Sequence, residues 1–328
     1  MMETHMTQPR FPFPANPTGW FAVGFSTDFA DGTVVTKHVF GQDLVLYRGS
    51  DGSLQARDPH CPHLGAHLGH GGTVEGNTLR CPFHAWCFDS AGQCVSIPGA
   101  TKIPAKAALR VWPLLERNGV VLVHYHPTGE APGWEPPPLV EEGWTRNRTV
   151  TWKVRTHAQE VMENTVDSAH LIPIHHVDSS KIIRGPVEDG PMMNVVINLI
   201  ADGAIVGMPG MANDVILDVT LHGLGHTVVQ SEVRNVGIRA RQRIYCTPID
   251  NDYIEIRGVI NLAELGDPHT TEQVAELFYQ AFVVDFAMDF PVWENKIYRD
   301  KPLLSAADGP FVQYRKWAKQ FYGADSQM

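Results

Sequence analysis

Several classes of protein are excluded by what this sequence lacks. Its 328 residues contain no apolar run near the roughly 18 residues that span a bilayer, and the start MMETHMTQPR has no apolar core of a signal peptide. Its 26 basic residues against 36 acidic ones give a formal charge of −10, which argues against nucleic acid or an anionic membrane as the main partner. We therefore expect a cytoplasmic protein without stable membrane insertion.

Cysteine is also scarce. Five cysteines are too few for a disulfide scaffold, and an odd number in a cytosolic protein points to metal or redox work for some of them. Cys61 and Cys81 are the candidates for such work, since both stand close to histidines.

The chain is predicted to hold two domains of different character. After an extension over 1–18, residues 19–126 form short β-type runs separated by Gly, Asp, Asn and Pro, typical of a small antiparallel β-domain. The proline-rich residues 127–143 are predicted to be a linker. In residues 144–328 long strand-like runs are bracketed by two helical stretches, which predicts an α+β domain of helix-grip type, an antiparallel sheet around a long helix.

Three helices are expected in the second domain. HAQEVMENTVDSAHLI has helical spacing over about four turns, and a second helix is expected to begin near Thr270 in TTEQ and to continue through VAELFYQAFVVDFAMDF. The stretch SAADGPFVQYRKWAKQFYG predicts a short terminal helix.

Two pairs of cysteine and histidine lie close together in the first domain. Cys61-X-His63 is followed after seventeen residues by Cys81-X2-His84. Four soft to borderline ligands on two loops suit zinc or a [2Fe-2S] cluster, and spacing alone does not decide between them. The neighbouring histidines, 67 and 70, are interpreted as loop residues near the cluster surface.

The residues around these pairs resemble the Rieske family. Its loops read Cys-Pro-His-X-Gly and Cys-Pro-X-His, and this sequence has CPHLG and CPFHAW, followed by AGQC and by Ile-Pro. The resemblance implies a [2Fe-2S] cluster in which Cys61 and Cys81 hold one iron and His63 and His84 hold the other.

The same loops resemble oxygenase clusters more than respiratory ones. Respiratory Rieske proteins have an extra cysteine on each loop and a hydroxyl side chain near the cluster, and here those places hold Ala66, Phe83 and Trp86. Fewer hydrogen bonds to the sulfurs predict a low potential. Ala85 stands where oxygenases usually have glycine, which could tighten the loop.

A second candidate metal site lies in ENTVDSAHLIPIHH. Asn164, Asp167 and His170 recur at three-residue steps, so they would share one helical face. His175 is five residues further on, and Pro173 is expected to end the helix so that His175 can return to the same point.

Two histidines and one carboxylate form the facial triad of non-haem Fe(II) oxygenases. The stretch is similar to the Rieske oxygenase motif Asn/Asp-X2-Asp-X2-His-X4-His. That match implies that His170 and His175 bind a mononuclear Fe(II) and that Asp167, with Asn164 beside it, bridges the two metal centres. His176 is the alternative to His175.

The carboxylate is expected from a distant helix, DFAMDFPVWENKIYRDKPLL. This stretch resembles the C-terminal segment of steroid-ring oxygenases, in which an Asp precedes a Trp by four residues and a Lys by seven. Asp289 fits that pattern with Trp293 and Lys296. Asp285, one turn earlier, is the alternative.

Over nearly its whole length the chain resembles the subgroup of 3-ketosteroid 9α-hydroxylase oxygenases and cholesterol 7-desaturases. PTGWF, CPHLGAHLGHGG, APGWEPPPL and DFPVWENK carry the resemblance. It implies an oxygenase, commonly a homotrimer, that uses O2 to hydroxylate or desaturate a sterol or steroid ring carbon. Sequence does not separate these two outcomes.

Reducing equivalents are expected to come from NAD(P)H through a separate ferredoxin or flavin reductase. The chain has no strand-Gly-X-Gly-X2-Gly-helix unit of its own for a dinucleotide. Two alternatives stay open: a Rieske oxygenase for aromatic hydroxylation or oxidative demethylation, including sterol C4 demethylation, and an electron-transfer protein without oxygenase activity.

A group of methionines is a candidate for the substrate slot. Flexible methionine side chains adapt to large apolar shapes, so they could line or cover a slot for a four-ring substrate. Packing in the sheet core is the alternative. The group consists of Met192, Met193, Met208 and Met211, with Ile205, Val206 and Pro209.

Overall fold

The computed structural model describes residues 10–203 and 210–323. Small antiparallel sheets occupy the first part of the chain, and one large antiparallel sheet with helices occupies the second. The predicted α+β class is therefore confirmed. Among the described residues, no helix has the length and apolar character needed to cross a membrane.

The first part contains ten short strands in three sheets. Their orders are β1-β10-β9, β2-β3-β4 and β5-β6-β7-β8. The strands are β1 (Gly19–Phe25), β2 (Val34–Val39), β3 (Gln42–Arg48), β4 (Leu54–Arg57), β5 (Thr73–Glu75), β6 (Thr78–Arg80), β7 (Cys87–Phe88), β8 (Cys94–Ser96), β9 (Leu114–Arg117) and β10 (Val120–Tyr125).

Alternating apolar residues explain why these strands pack into one unit. Phe21, Leu44 and Leu46 have no exposed surface, and they pack with Trp112, whose Nε1 donates to Asp58 Oδ1 at 2.7 Å. The opposite face of β3, with Val45 and Tyr47, packs on the four-stranded sheet through Leu79 and Phe88, in the cluster that also contains Cys61 and Cys81.

Residues 127–143 contain no helix or strand. The segment is nevertheless held in place, since Trp20 Nε1 donates to Trp134 O at 2.7 Å and Leu139 N donates to Asn118 Oδ1 at 2.9 Å. The domain boundaries given above stay predictions.

A seven-stranded antiparallel sheet forms the second part, with the order β11-β17-β16-β15-β14-β13-β12. The strands are β11 (Arg148–Val154), β12 (Ser179–Asp189), β13 (Met192–Asp202), β14 (Ala212–His222), β15 (His226–Val233), β16 (Ile238–Pro248) and β17 (Ile254–Leu262). The helices are α1 (Ala158–Glu163), α2 (Pro268–Ala287), α3 (Phe290–Asn295) and α4 (Phe311–Ala318).

Helix α2 lies against this sheet. It begins earlier than the predicted Thr270, because the side chain of Asp267 caps it by accepting from Thr270 N at 2.7 Å and Pro268 occupies its first turn. A Cβ on Gly258 of β17 would stand 2.7 Å from the ring of Phe282. The missing side chain thus lets the helix approach the sheet closely.

The predicted four-turn helix over 157–172 is wrong. Helix α1 has six residues and is followed by two 3-10 turns, Asn164–Val166 and Ala169–Leu171. Asp167 interrupts the helix with φ −104° and ψ 82°, and its Oδ1 accepts from His170 N at 3.3 Å. A short polar side chain here satisfies the backbone that a continuous helix would have used.

The stretch predicted as one helix around Asp289 is also divided. Helix α2 ends at Ala287, and α3 begins at Phe290 with Pro291 in its first turn. Asp289 is the residue immediately before α3.

The predicted terminal helix corresponds to α4 and a following 3-10 turn, Lys319–Phe321.

Candidate active site

The two Cys/His loops bring four donor side chains to one end of the β5–β8 sheet. Cys61 and Cys81 are each 3% exposed, whereas His63 and His84 are exposed and their rings lie 4.6 Å apart. Two buried thiols beside two exposed imidazoles are a donor set that fits a [2Fe-2S] cluster with one thiolate-bound and one imidazole-bound iron.

The two loops share one turn geometry. In each, the cysteine N–H donates to a carbonyl five residues later, and the cysteine carbonyl accepts from the fourth residue. The bonds are Cys61 N to Ala66 O (2.9 Å), Gly65 N to Cys61 O (3.0 Å), Cys81 N to Trp86 O (2.8 Å) and Ala85 N to Cys81 O (3.1 Å). Each turn therefore presents its cysteine and histidine in the same way.

Ala85 adopts a conformation that suits glycine. Its φ is +55°, and Gly65 at the equivalent place in the other loop has φ +76°. A Cβ in this left-handed region clashes with the neighbouring carbonyl at a cost of roughly 1–2 kcal/mol. The departure from glycine noted in the sequence is thus a point of backbone strain.

His67 is held by groups other than the four donors. Its Nε2 lies 3.2 Å from Asp43 Oδ2, and its Nδ1 accepts from Gly69 N at 3.1 Å. The ring of His70 stands 4.5 Å from that of His67. These contacts account for His67 as a structural residue of the loop.

A second group of donors forms where α2 meets the segment after α1. One nitrogen each from His170 and His175 and one carboxylate oxygen from Asp289 lie within 4.8 Å of one another. His175 Nε2 is 3.4 Å and His170 Nε2 is 4.0 Å from the Asp289 carboxylate. Among the described residues, His176 does not belong to this group.

Asp285 contacts the opposite side of His175. Its Oδ1 lies 3.0 Å from His175 Nδ1, and its side chain is 47% exposed against 7% for Asp289. The two candidate carboxylates thus have different places: Asp289 faces the donor group, and Asp285 orients the ring from behind.

The carboxylates also set the protonation of His175. Burial lowers its pKa, but hydrogen bonds to Asp285 and Asp289 outweigh burial and raise the pKa to about 9. A cation that binds at Nε2 therefore has to displace a proton.

Asp167 fixes the orientation of His170. His170 Nδ1 donates to Asp167 O, and its backbone N donates to Asp167 Oδ1 at 3.3 Å. Burial raises the pKa of Asp167, and the hydrogen bond and charge of His170 more than reverse this, so the pKa lies below its usual value. The bond from Nδ1 leaves Nε2 of His170 directed to the donor group.

Asn164 connects the donor group to α3. Its Nδ2 lies 3.5 Å from His170 Nε2, and its Oδ1 accepts from Trp293 Nε1 at 3.5 Å. The predicted residues Asn164, Asp167, His170, His175 and Asp289 thus converge, although they do not share a continuous helix.

A cavity of about 450 Å³ opens beside this group. It lies between α2 and the sheet, and its walls are mainly apolar, with Leu199, Leu217, Val229 and Phe282 among them. The volume and the apolar walls fit a hydrophobic small molecule with one end at the donor group.

The methionine group does not form this wall. Met193 is buried in the core, which agrees with the alternative of sheet-core packing, and Met192 and Met211 are not among the residues that line the cavity. Met208, Ile205, Val206 and Pro209 lie outside the described residues.

Sequence reasoning missed the polar residues of the cavity. Asn213, Thr227, Ser231 and Gln242 line it from three neighbouring strands. The two-residue period of β15 could have indicated two of them. Thr227, Val229, Ser231 and Val233 all lie on the same face of the strand, so polar and apolar residues alternate along the cavity wall. These residues are the polar anchors available to a bound molecule.

Comparison with known families decides the assignment. The family described as the Rieske [2Fe-2S] domain matches residues 19–113, and the 3-ketosteroid 9α-hydroxylase C-terminal domain matches residues 123–322. The chain is a Rieske oxygenase of the 3-ketosteroid 9α-hydroxylase family. The predicted family and enzyme class, an oxidoreductase, are confirmed.

Two relatives resemble this Rieske oxygenase over most of its length. A probable 3-ketosteroid-9-alpha-monooxygenase oxygenase component of Rhodococcus rhodochrous is 32% identical over 319 residues, covering 93% of this chain and 79% of the relative. The cholesterol 7-desaturase nvd of Hemicentrotus pulcherrimus is 31% identical over 339 residues, covering 95% of this chain and 71% of the relative.

Solved structures support the fold of the Rieske oxygenase. Apo dicamba monooxygenase superposes with a TM-score of 0.69 at 19% identity, over 94% of this chain and 97% of that one. NdmB of Pseudomonas putida CBB5 gives a TM-score of 0.70 at 19% identity, over 92% of this chain and 89% of that one.

Proposed function

We propose that this protein is the oxygenase component of a sterol or steroid monooxygenase or desaturase, located in the cytoplasm. The observation that carries the proposal is the group of His170, His175 and Asp289 at one end of a 450 Å³ apolar cavity, in a chain that also has a Rieske domain. Its similarity to steroid and cholesterol enzymes favours a four-ring substrate.

The donor sets fit the two metal groups that the family implies. His170, His175 and Asp289 would hold a mononuclear Fe(II), and Cys61, His63, Cys81 and His84 would hold the [2Fe-2S] cluster. When bound, the iron would supply O2-dependent C–H oxidation with electrons from the cluster. Those electrons would come from NAD(P)H through a separate ferredoxin or flavin reductase.

The side chains around the iron site would position the reaction. Asp285 holds the ring of His175, Asp167 holds that of His170, and Trp293 anchors Asn164. The apolar walls would bind the rings of the substrate and exclude water, so that one ring carbon is held at the donor group.

Electrons are proposed to enter through Asp167 from another subunit. The exposed imidazoles of His63 and His84 are available at the surface, and the Asp167 side chain is 25% exposed beside His170. We propose a homotrimer in which the cluster of one subunit serves the iron of the next, as the family resemblance implies.

A product analysis tests the function. The holoenzyme is incubated with O2, a surrogate reductase and a panel of sterols and 3-ketosteroids, and products are identified by mass spectrometry. A mass gain of one oxygen or a loss of two hydrogens supports the proposal. Oxidation only of aromatic or N- or O-methyl substrates in a second panel would favour the alternative oxygenase.

An iron-binding experiment tests the electron-transfer alternative. Anaerobic Fe(II) titration of the cluster-loaded protein should show one additional iron per chain. An empty, unreactive second site would favour an electron carrier without oxygenase activity.

A further inference from the structure

Two buried arginines lie on the face of the large sheet opposite the substrate cavity. Arg241 and Arg243 of β16 are 5% and 2% exposed and alternate with Gln242 and Ile244, which line the substrate cavity on the other face. Among the described residues, all hydrogen bonds from the two guanidinium groups end on neutral oxygens. Two neighbouring positive charges are thus buried with no carboxylate of the described residues hydrogen-bonded to them.

Arg243 is surrounded by amides. Its Nη1 donates to Asn118 O at 2.6 Å, and its Nη2 donates to Asn147 Oδ1 at 2.6 Å and to Asn261 Oδ1 at 3.0 Å. Its buried Nε has no acceptor in the described part of the chain. These contacts orient the guanidinium but do not neutralise it.

Arg241 is similarly placed. Its Nη1 donates to Val140 O at 2.9 Å, and its guanidinium carbon lies 4.4 Å above the ring of Trp144. The buried Nε again lacks an acceptor among the described residues. Burial and the charge of Arg243 lower the pKa of Arg241, and the charge of Glu141 offsets them only in part.

A cavity of about 210 Å³ lies against both arginines. Thr145, Asn147 and Asn261 add polar groups to its wall. Arg146 also lines it but is paired with Glu272 at 2.8 Å, and the one acidic residue among the lining residues, Glu141, is exposed.

Buried charges without a counter-ion are strongly unfavourable, and a guanidinium binds planar or tetrahedral oxyanions with paired N–H groups. We propose that this cavity binds a small oxyanion, a carboxylate or a phosphate, which neutralises Arg241 and Arg243. The bound anion would join the β9–β10 turn at Asn118, the segment from Val140 to Asn147 and the large sheet. This site is separate from the iron chemistry.

Calorimetry and thermal unfolding of the holoenzyme test the site. Inorganic phosphate, succinate and acetate are titrated separately at an ionic strength held constant with chloride. We expect saturable binding of one anion per chain and a melting temperature that rises with anion concentration. The order of affinities distinguishes a phosphate site from a carboxylate site.

Two arginine variants localise the effect. R241Q should lower anion affinity at least 10-fold, whereas R234Q should leave it unchanged, because Arg234 is a surface residue paired with Asp214 at 3.4 Å. The visible spectrum of the cluster reports whether each variant is folded. No saturable binding of any of the three anions, or equal binding by R241Q, would overturn the proposal.

A third variant supplies the charge from within the chain. N147D keeps the oxygen that accepts from Arg243 and adds a carboxylate beside it. It should melt higher than the wild type in anion-free buffer and lose the response to phosphate. A lower melting temperature with an unchanged phosphate response would contradict an anion site.

Discussion

Lys296 Nζ lies 2.7 Å from Glu160 Oε2, and the Glu160 side chain has no exposed surface. The pair joins the end of α3 to α1 behind the iron site. Each residue of the Asp-X3-Trp-X2-Lys pattern has a contact of its own: Asp289 belongs to the donor group, Trp293 donates to Asn164, and Lys296 pairs with Glu160. The three side chains therefore attach the segment around α3 to α1 and the residues that follow it.

Replacing Lys296 by methionine should destabilise the protein. The variant leaves the Glu160 carboxylate buried without its partner, which we expect to lower the free energy of unfolding by roughly 2–3 kcal/mol. Denaturant unfolding of K296M, E160Q and the double variant checks this. The double variant should lose less than the sum of the two single variants, and simple additivity would contradict coupling between the pair.

The sheet and α2 could be predicted from local periodicity, and both metal-ligand sets could be predicted from the resemblance of their motifs to the Rieske oxygenases. The break in the helix over 157–172 could not be predicted. The sequence has helical spacing, but Asp167 interrupts the helix. Gly309 packs directly on this segment, since a Cβ there would stand only 1.6 Å from Val166 O. Such a close approach of two chain segments has no signal in the local sequence.

Helical spacing alone does not separate Asp285 from Asp289, and only the resemblance of the Asp-X3-Trp-X2-Lys pattern favours Asp289. The two residues are four apart, so helical spacing places both on one face. The structure separates them because α2 ends at Ala287 and Asp289 lies in the break before α3, where it faces Nε2 of His175 rather than Nδ1.

Substitutions at these two carboxylates should separate their roles. D289A removes an oxygen donor and should abolish stoichiometric Fe(II) binding. D285N should keep the site but weaken Fe(II) affinity about 10- to 100-fold, as expected for a residue that orients a ligand. Anaerobic Fe(II) titration with measurement of bound iron decides which carboxylate is the ligand. If D285N bound no iron and D289A bound one iron per chain, the assignment would be reversed.

Two substitutions at Asp167 distinguish electron transfer from structural support. D167A should retain cluster and iron but lose turnover, at least 100-fold. D167N preserves the oxygen that accepts from His170 N, so a purely structural role predicts near-normal activity in D167N. We expect D167N to be nearly as inactive as D167A, with unchanged metal content and an unchanged resonance spectrum of the reduced cluster. Normal product formation by D167A would exclude the bridging role.

The two cluster loops offer a matched pair of stability tests. Ala85 and Gly65 have the same left-handed conformation, so A85G should remove the strain of a Cβ and raise the free energy of unfolding by up to about 1 kcal/mol. G65A should introduce that strain and lower the free energy by about 1 kcal/mol. Thermal unfolding monitored by cluster absorbance checks both, and a destabilised A85G would show that the Cβ contributes favourable packing.

Four buried histidines should make the protein acid-sensitive. Burial lowers the pKa of His124, His157 and His222 to about 4, and burial with the charges of His222 and Arg243 lowers that of His226 well below its usual value. The unfolded chain binds protons on these residues below about pH 6.5 and the folded one does not, so the stabilisation present above pH 6.5 is lost as the pH falls.

Each of these histidines should cost about 1.4 kcal/mol of stability between pH 7.5 and pH 5.5. The variant H226F keeps an aromatic ring to stack on Tyr245, where the rings now lie 4.4 Å apart, and removes one titrating group. Its loss of unfolding free energy over this interval, measured in urea, should therefore be smaller than that of the wild type by about 1.4 kcal/mol. An identical pH dependence would mean that His226 has the same pKa in the folded chain as in the unfolded one.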